Sequence, residues 1–538
     1  MNSIILLIIA AVAFMVGYRV YGKKVEHIWQ INPQRTPPSK SRYDGHDYIP
    51  ASNWVVLFGH HFASIAGAGP IIGPAIAVCY WGWGPTALWI ILGSIFIGGI
   101  HDFGALIISV REDGKSIADI SEDAISRRAK LIFSIFTWLA LILVIAVFAY
   151  LGANTFVTQP EIVLPSFGII PIAILVGLAL YKLKGNSILI TVLALMGVAA
   201  LIFYGSKIPI VIFNTQAAWI IVLLFYSFIA SVLPVNLLLQ PRDYLSSFLL
   251  VFGIILGVVG VVISHPPLHG EPFLANKTSL GWLWPMMFIT VACGANSGFH
   301  SLVSSGTTSK QLANEKHAKG IGYGGMIMEG FLAIIVVICV VGGLNSLELK
   351  QHIIAKTSPV NLFGVGFGNL TAPFLGRWGM FAALTILNIF ILTTLDTATR
   401  ITRYITEELF GIKNRFMATG LCVLMAGILA LGRDTAHNPL WQKIWPAFGA
   451  SNQLVAALAL LVITSWLLSK NRPTLYTLLP ALFMLITSLS ALVWQMTSYI
   501  HKGEYLLIII SLILFASALV MTYEVIMKFK KSLNLRRF

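Results

Sequence analysis

Apolar runs of about twenty residues, separated by short polar stretches, recur along almost the whole chain, and each is long enough to carry a helix across a hydrocarbon core of about 30 Å. The pattern predicts fifteen spans, at 2–20, 53–80, 84–110, 131–153, 163–182, 186–204, 217–239, 242–264, 283–306, 320–344, 377–399, 415–432, 446–469, 474–496 and 503–528. The expected fold is therefore an all-α polytopic membrane protein, with residues 1–538 forming one membrane transport domain. The run from Met1 to Val20 lacks a basic leader and an A-x-A cleavage site, so it reads as a first span rather than a signal peptide.

Two spans break the apolar pattern near their midpoints. The second contains Gly67, Gly69, Pro70, Gly73 and Pro74; glycine lowers helix propensity, and proline removes a donor and disfavours helix just before it. Pro70 suits the first turn of a new half-helix. The ninth runs Cys293-Gly294-Ala295-Asn296-Ser297-Gly298-Phe299-His300-Ser301, followed by Ser304, Ser305, Thr307 and Thr308. Its bland alternative is a small-residue packing face, which leaves Asn296 and His300 unexplained. Irregular backbone at membrane depth is tolerated only where it is buried or lines a cavity, so both breaks are expected to hold a solute.

Composition agrees: 57% of residues are hydrophobic and 11% charged, where soluble domains carry about 25% charged residues. The net charge of +15 changes the picture through its placement. With the N-terminus outside and the C-terminus cytoplasmic, 28 of the 36 lysines and arginines fall on the inner side, as the positive-inside rule requires. The basic charge thus reads as topology and contact with an anionic lipid bilayer; no nucleic acid is expected. Cys79, Cys293, Cys339 and Cys422 stand singly in apolar stretches and read as packing residues.

By this orientation the two broken spans run in opposite directions, and each second half-helix starts at the bilayer midplane. The free N–H groups and positive dipole ends there suit an anionic solute, and paired breaks in antiparallel halves point to inverted repeats. The expected division is 1–50 (first span and cytoplasmic loop), 51–204 (repeat 1), 205–282 (inserted spans), 283–470 (repeat 2) and 471–538 (C-terminal spans and basic tail).

Ionisable groups inside spans are functional candidates by default: His60, His61, His101, Asp102, Glu329 and Asp396. Thr393, Asp396, Thr397 and Arg400 follow a three-to-four spacing and share one helix face. That face can serve a sodium ion or a proton, or it can be an Asp396–Arg400 ion pair anchoring the helix end. His60 and His61 are adjacent and cannot chelate like an H-E-x-x-H pair. The expectation is no metal and no cofactor, with His61, Asp102 and His300 as the low-probability zinc set. The Gly320–Gly325 run carries no G-K-[ST] and is not expected to bind nucleotide.

Asp44-Gly45-His46-Asp47-Tyr48-Ile49-Pro50, with Gly59-His60-His61 through Pro70, resembles the carbon starvation protein A family. So do Cys293–His300 with Ser304–Thr308, the Thr393-Thr394-Leu395-Asp396 stretch, and Trp445–Gln453. The resemblance implies a multi-pass carrier of the bacterial inner membrane with peptides and pyruvate as substrates, proton coupling, and a distant relation to LeuT-type carriers. The sequence-based expectation is a non-enzymatic secondary transporter, with a channel or a membrane metalloenzyme as competing classes. It would import a small carboxylate (a 2-oxo acid such as pyruvate) or a short peptide by symport, with H⁺ or alternatively Na⁺ as coupling ion. His61, Ser64, Gly67, Ala68, Gly69, Asn296, Ser297, Gly298 and His300 are the expected substrate residues, and Asp102, Thr393, Thr394 and Asp396 the expected coupling residues.

Overall fold

The computed structural model describes residues 2–183, 185–354, 358–433 and 440–535. Lys184, Lys356, Arg536 and Arg537 of the charge count, and the side chains of Lys350, Lys443, Trp445, Pro446 and Lys531, lie outside the described residues.

The chain is a multi-pass α-helical membrane protein. Among the described residues, eleven helices are long and apolar enough to cross a membrane, and the pair Trp54–Ile65 and Gly69–Trp81, bent by 43°, makes a twelfth span. The other three spans of the expected fifteen are less regular. Gln216–Val232 and Arg415–Leu431 are shorter apolar helices, and the ninth is divided into Phe288–Thr290, Ala292–Asn296 and Gly298–Gly306. Helix starts follow local chemistry: the side chains of Asn53, Asn186 and Asn414 each accept two N–H groups of the turn they open.

Of the helices that the span pattern does not anticipate, Pro359–Leu375 is the longest among the described residues; it folds back against Leu239–Ser264 and Trp378–Phe410. Its three glycines (Gly364, Gly366, Gly368) and two asparagines weaken both the apolar and the helical signals. The same glycines let it lie close: a Cβ at Gly364 would stand 3.0 Å from Leu384 and one at Gly368 3.1 Å from Met380.

Loops assigned to one side by charge meet one another. On the expected outer face Ser3 N–H donates to Pro266 O, and Gly84 N–H to Pro272 O. On the opposite face Arg35 and Arg111 both pair with Glu315, and Arg472 donates to Trp29 O.

Burial sorts centre from rim. The apolar windows of Trp83–Arg111, Glu315–Gly342 and Ala447–Ser469 are 83%, 83% and 94% buried, against 22% for Ser187–Gly205 and 28% for Tyr505–Lys530. Arg127–Thr158 packs along Trp378–Phe410, Gln216–Val232 along Arg415–Leu431, and Leu239–Ser264 along Trp54–Ile65. Val163–Gly177 and Ser187–Gly205 pack chiefly on each other. Thus Leu239–Ser264, expected among the inserted spans, touches the first broken helix, whereas the 163–205 hairpin stands towards the rim.

Candidate functional site

The first break spans Ala66 to Ala68. Ala66 leaves helical geometry at ψ 49°, and Gly67 N–H turns back to Ile65 O at 2.9 Å. Pro70 sits in the first turn of the second half-helix, as the sequence predicts. The N–H groups of Ala68 and Gly69 have no acceptor among the described residues. The second break lies at Val291 and Ser297, either side of the expected glycine, because both residues depart from helical geometry (ψ 4° and 126°) while Gly294 does not interrupt its short helix. Here Phe299 N–H donates to Asn452 Oδ1 at 3.0 Å, so a neighbouring side chain already caps this half-helix.

The two breaks abut. A Cβ on Gly69 would stand 2.5 Å from Cys293 Cβ, so these two backbones meet only because residue 69 has no side chain. Gly67 faces Thr394, whose Oγ1 would be 2.6 Å from an added Cβ. Gly298 faces Val455 and Ala456 of the helix Leu440–Ser469. Gly67 and Gly298 were expected to offer open backbone to the solute; they give close helix contact instead.

Around the breaks the polar side chains pair in sets. His61 Nδ1 lies 3.0 Å from Thr308 Oγ1 and its Nε2 3.0 Å from Asp102 Oδ2, and Asp102 Oδ1 accepts from Ser304. His60 Nδ1 lies 2.5 Å from Asp243 Oδ2 and its Nε2 3.1 Å from Thr307 Oγ1. His300 Nε2 stands 3.0 Å from Glu329 Oε2, and its Nδ1 3.2 Å from Met326 Sδ. Asp396 pairs with Arg242 and accepts from Tyr226 OH at 2.6 Å. The alternative Asp396–Arg400 pair does not form. Arg400 turns to Asp47 at 2.7 Å, because Arg242 already fills the interior side of Asp396.

The remaining expected residues divide. Ser64 Oγ donates to His60 O and meets Thr397 Oγ1 at 3.0 Å; Thr394 Oγ1 donates to Ser64 O at 3.3 Å. The eleventh span thus lies against the first break. Thr393 Oγ1 donates to Ile389 O within its own helix. Asn296 Nδ2 contacts Met484 Sδ at 2.9 Å. Ser297 Oγ is hydrogen-bonded to Asn452. Of the zinc set, His61 and Asp102 are joined while His300 goes to Glu329; among the described residues no group of three His, Cys, Asp or Glu is placed to hold a metal ion.

A cavity of about 340 Å³ runs from the face carrying Ser279, Leu280 and Lys502 down to Gly69, Cys293 and Asn452. Cys293, expected as packing, lines its floor. On the opposite face Asp47 pairs with Arg400 and with Arg403 (2.7 and 2.9 Å), Lys310 Nζ sits 3.6 Å from the centre of the Tyr404 ring, and a separate pocket of about 260 Å³ between Trp54, Leu312 and His317 has no residue of either break in its lining. Burial pushes the Asp47 carboxyl up, but Arg400, Arg403 and Lys310 outweigh it and hold the group well below the usual carboxylate range.

Sequence reading missed Arg242, Asp243, Tyr226 and Asn452. Arg242 and Asp243 stand at the very start of the expected eighth span, where a charged residue ordinarily meets water, yet both are fully buried because their helix begins inside the protein. The run Gln240-Pro241-Arg242-Asp243 before a long apolar stretch was the available signal.

The sequence profile of the family described as Carbon starvation protein CstA matches residues 2–347 and 343–491. The chain is 32% identical to the peptide transporter CstA of Campylobacter jejuni, over 90% of this chain and 79% of that one. It is 30% identical to the pyruvate/proton symporter BtsT of Escherichia coli, over 91% and 81%. In three dimensions it superposes on the Eremococcus coleocola manganese transporter with a TM-score of 0.55 at 12% identity, covering 91% of this chain and 99% of that one; that likeness is one of fold. A buried junction of two broken helices under a one-sided cavity is thus found in a chain whose sequence matches that family along most of its length, and this protein belongs to the carbon starvation protein CstA family of multi-pass membrane transporters.

Proposed function

We propose that the chain is a proton-coupled importer of a small carboxylate such as pyruvate, or of short peptides, working by alternating access in the bacterial inner membrane. The observation that carries this reading is the cavity, which ends at the two breaks instead of crossing the protein, while the other face holds the Asp47 ion pairs and a separate pocket that does not include the breaks. A channel needs a continuous path; a carrier needs one gate shut. The unpaired N–H of Gly69, which lines the cavity floor, and Lys502 near its mouth favour a solute with a carboxylate. A proton is favoured over sodium as coupling ion because Asp396, the best oxygen ligand on the eleventh span, is engaged by Arg242 and Tyr226.

The packing also favours a revised repeat pairing. In it the helices at 54–81, 83–111, 127–158, 216–232 and 239–264 match those at 283–306, 318–342, 378–410, 415–431 and 440–469, and the 163–205 hairpin is the insertion. Most of these helices then pack against the partners of their counterparts; Trp378–Phe410, which packs on Trp54–Ile65 and on Gly298–Gly306, departs from the pattern.

Proteoliposomes loaded under separate proton and sodium gradients test the function. Saturable accumulation of pyruvate or a dipeptide under the proton gradient alone is expected. Accumulation under sodium alone, or currents far above carrier turnover, would overturn it.

A further inference from the structure

Five carboxylates are fully buried among the described residues: Asp102, Asp243, Glu315, Glu329 and Asp396. Four of them have at least one oxygen in a hydrogen bond. Asp102 holds His61 and Ser304, Asp243 holds His60, Glu315 holds Arg35 and Arg111, and Asp396 holds Arg242 and Tyr226. Glu329 differs. Neither of its oxygens has a hydrogen-bond partner, although Oε2 is only 3.0 Å from His300 Nε2. Beside His300 lies His101, also fully buried, its ring centre 6.3 Å from that of His300; its ring nitrogens make no well-formed hydrogen bond, although the Asn296 backbone is close by. A buried polar group without a partner costs about 1–3 kcal/mol, so two such groups in contact with one histidine, His300, are not explained by packing.

The setting is made by small residues. Gly325 of the helix Ala318–Gly342 lies against His61, with an added Cβ 2.9 Å from His61 Cδ2. One turn on, Met326 and Glu329 meet His300. Gly294, beside the cavity-floor residue Cys293, packs on Ala333 of the same helix. Glu329 therefore stands just behind the cavity floor, without reaching the cavity itself.

We propose that Glu329, with His300 and His101, is the site that carries the coupling proton. The inference rests on the symport reading above and assigns the proton to this triad in place of Asp396. With Glu329 ionised and both histidines neutral the triad has a net charge of −1, which a low-dielectric interior penalises and which repels a solute carboxylate. One proton arriving from the cavity side, bound as an O–H on Glu329 or an N–H on His300, brings the net charge to zero and admits the anion. Opening to the inner face releases anion and proton together. The charged and titratable groups facing the triad are His61 and Asp102, already bonded to Thr308 and Ser304, and the thiol of Cys293. The His61–Asp102 pair is fully hydrogen-bonded and serves as the fixed neighbour.

The test uses the full-length protein in proteoliposomes, with pyruvate and a dipeptide as probes. Glu329→Gln should lose proton-driven accumulation while substrate exchange across the membrane persists, and Glu329→Asp should restore part of the accumulation. Independently, infrared spectra of the wild type across pH should contain a protonated carboxyl C=O band that E329Q lacks. Accumulation by E329Q at the wild-type level would overturn the assignment, as would an unchanged band in that variant. If the wild type shows no proton-driven uptake but the band titrates and vanishes in E329Q, the symport reading fails and the proton site stands. If E329Q is not recovered folded, the E329D band decides: a carboxyl band at unchanged position overturns the assignment.

Discussion

Arg242 and Asp396 face each other with no exposed surface, and their energetics differ from those of an isolated intramembrane acid. Breaking a buried pair by removing one partner typically costs about 3–5 kcal/mol, while replacing both partners is often near neutral. Asp396→Asn and Arg242→Met should therefore each lower the thermal midpoint in detergent, and the double variant should recover most of the loss. Strictly additive losses would show that the two charges do not depend on each other. The double variant is also the right background for asking whether Asp396 takes part in coupling. At Gly69 the limit is steric. Gly69→Ala would place a Cβ 2.5 Å from that of Cys293, so transport should fall sharply and Cys293→Gly in the same chain should restore part of it. No rescue would mean that the contact between the breaks is not what residue 69 protects.

Among elements, the segment from Asp44 to Pro50 has the clearest mechanical role. Asp44 Oδ1 accepts from the N–H groups of His46, Asp47 and Tyr48, which shapes the turn and presents Asp47 to Arg400 and Arg403. Asp47→Asn leaves two nearly buried guanidiniums without their carboxylate, so it should loosen the closed face and raise labelling of cysteines introduced there. Labelling at the wild-type rate would remove Asp47 from the closure. The pH dependence follows from the sign of the shift. The Asp47 carboxyl is held below its unfolded value, so its contribution is present above the unfolded pKa, about 3.9, and is lost only as pH falls through the lower folded one. The difference between D47N and wild type should therefore be the same at pH 5.5 and at pH 7.5. A difference that shrinks at pH 5.5 would contradict the arginine-held carboxylate.

For the whole molecule, the proposed alternating-access cycle takes the cavity on one face and the ion pairs on the other as one of its states. Cys293 is a natural reporter, since it is partly accessible at the cavity floor while Cys339 and Cys422 are buried. With Cys79 replaced by serine, a membrane-impermeant maleimide should label Cys293 from the Lys502 face only, and pyruvate or a dipeptide should slow the reaction. Labelling from the opposite face alone would reverse the assignment of open and closed sides.

The span pattern, the segregation of basic loops and both interruptions were legible in the sequence, because the bilayer imposes length, polarity and backbone satisfaction locally on each segment. Partner choice was not legible. His61 and Asp102 lie 41 positions apart in the chain, and His300 and Glu329 lie on different helices. Whether Asp396 faces Arg400 on its own helix or Arg242 on another depends on how the helices cross, which no local pattern encodes. The same holds for Gly67 and Gly298: a glycine signals that something comes close, and only the tertiary structure decides that it is Thr394 and Val455 rather than the solute.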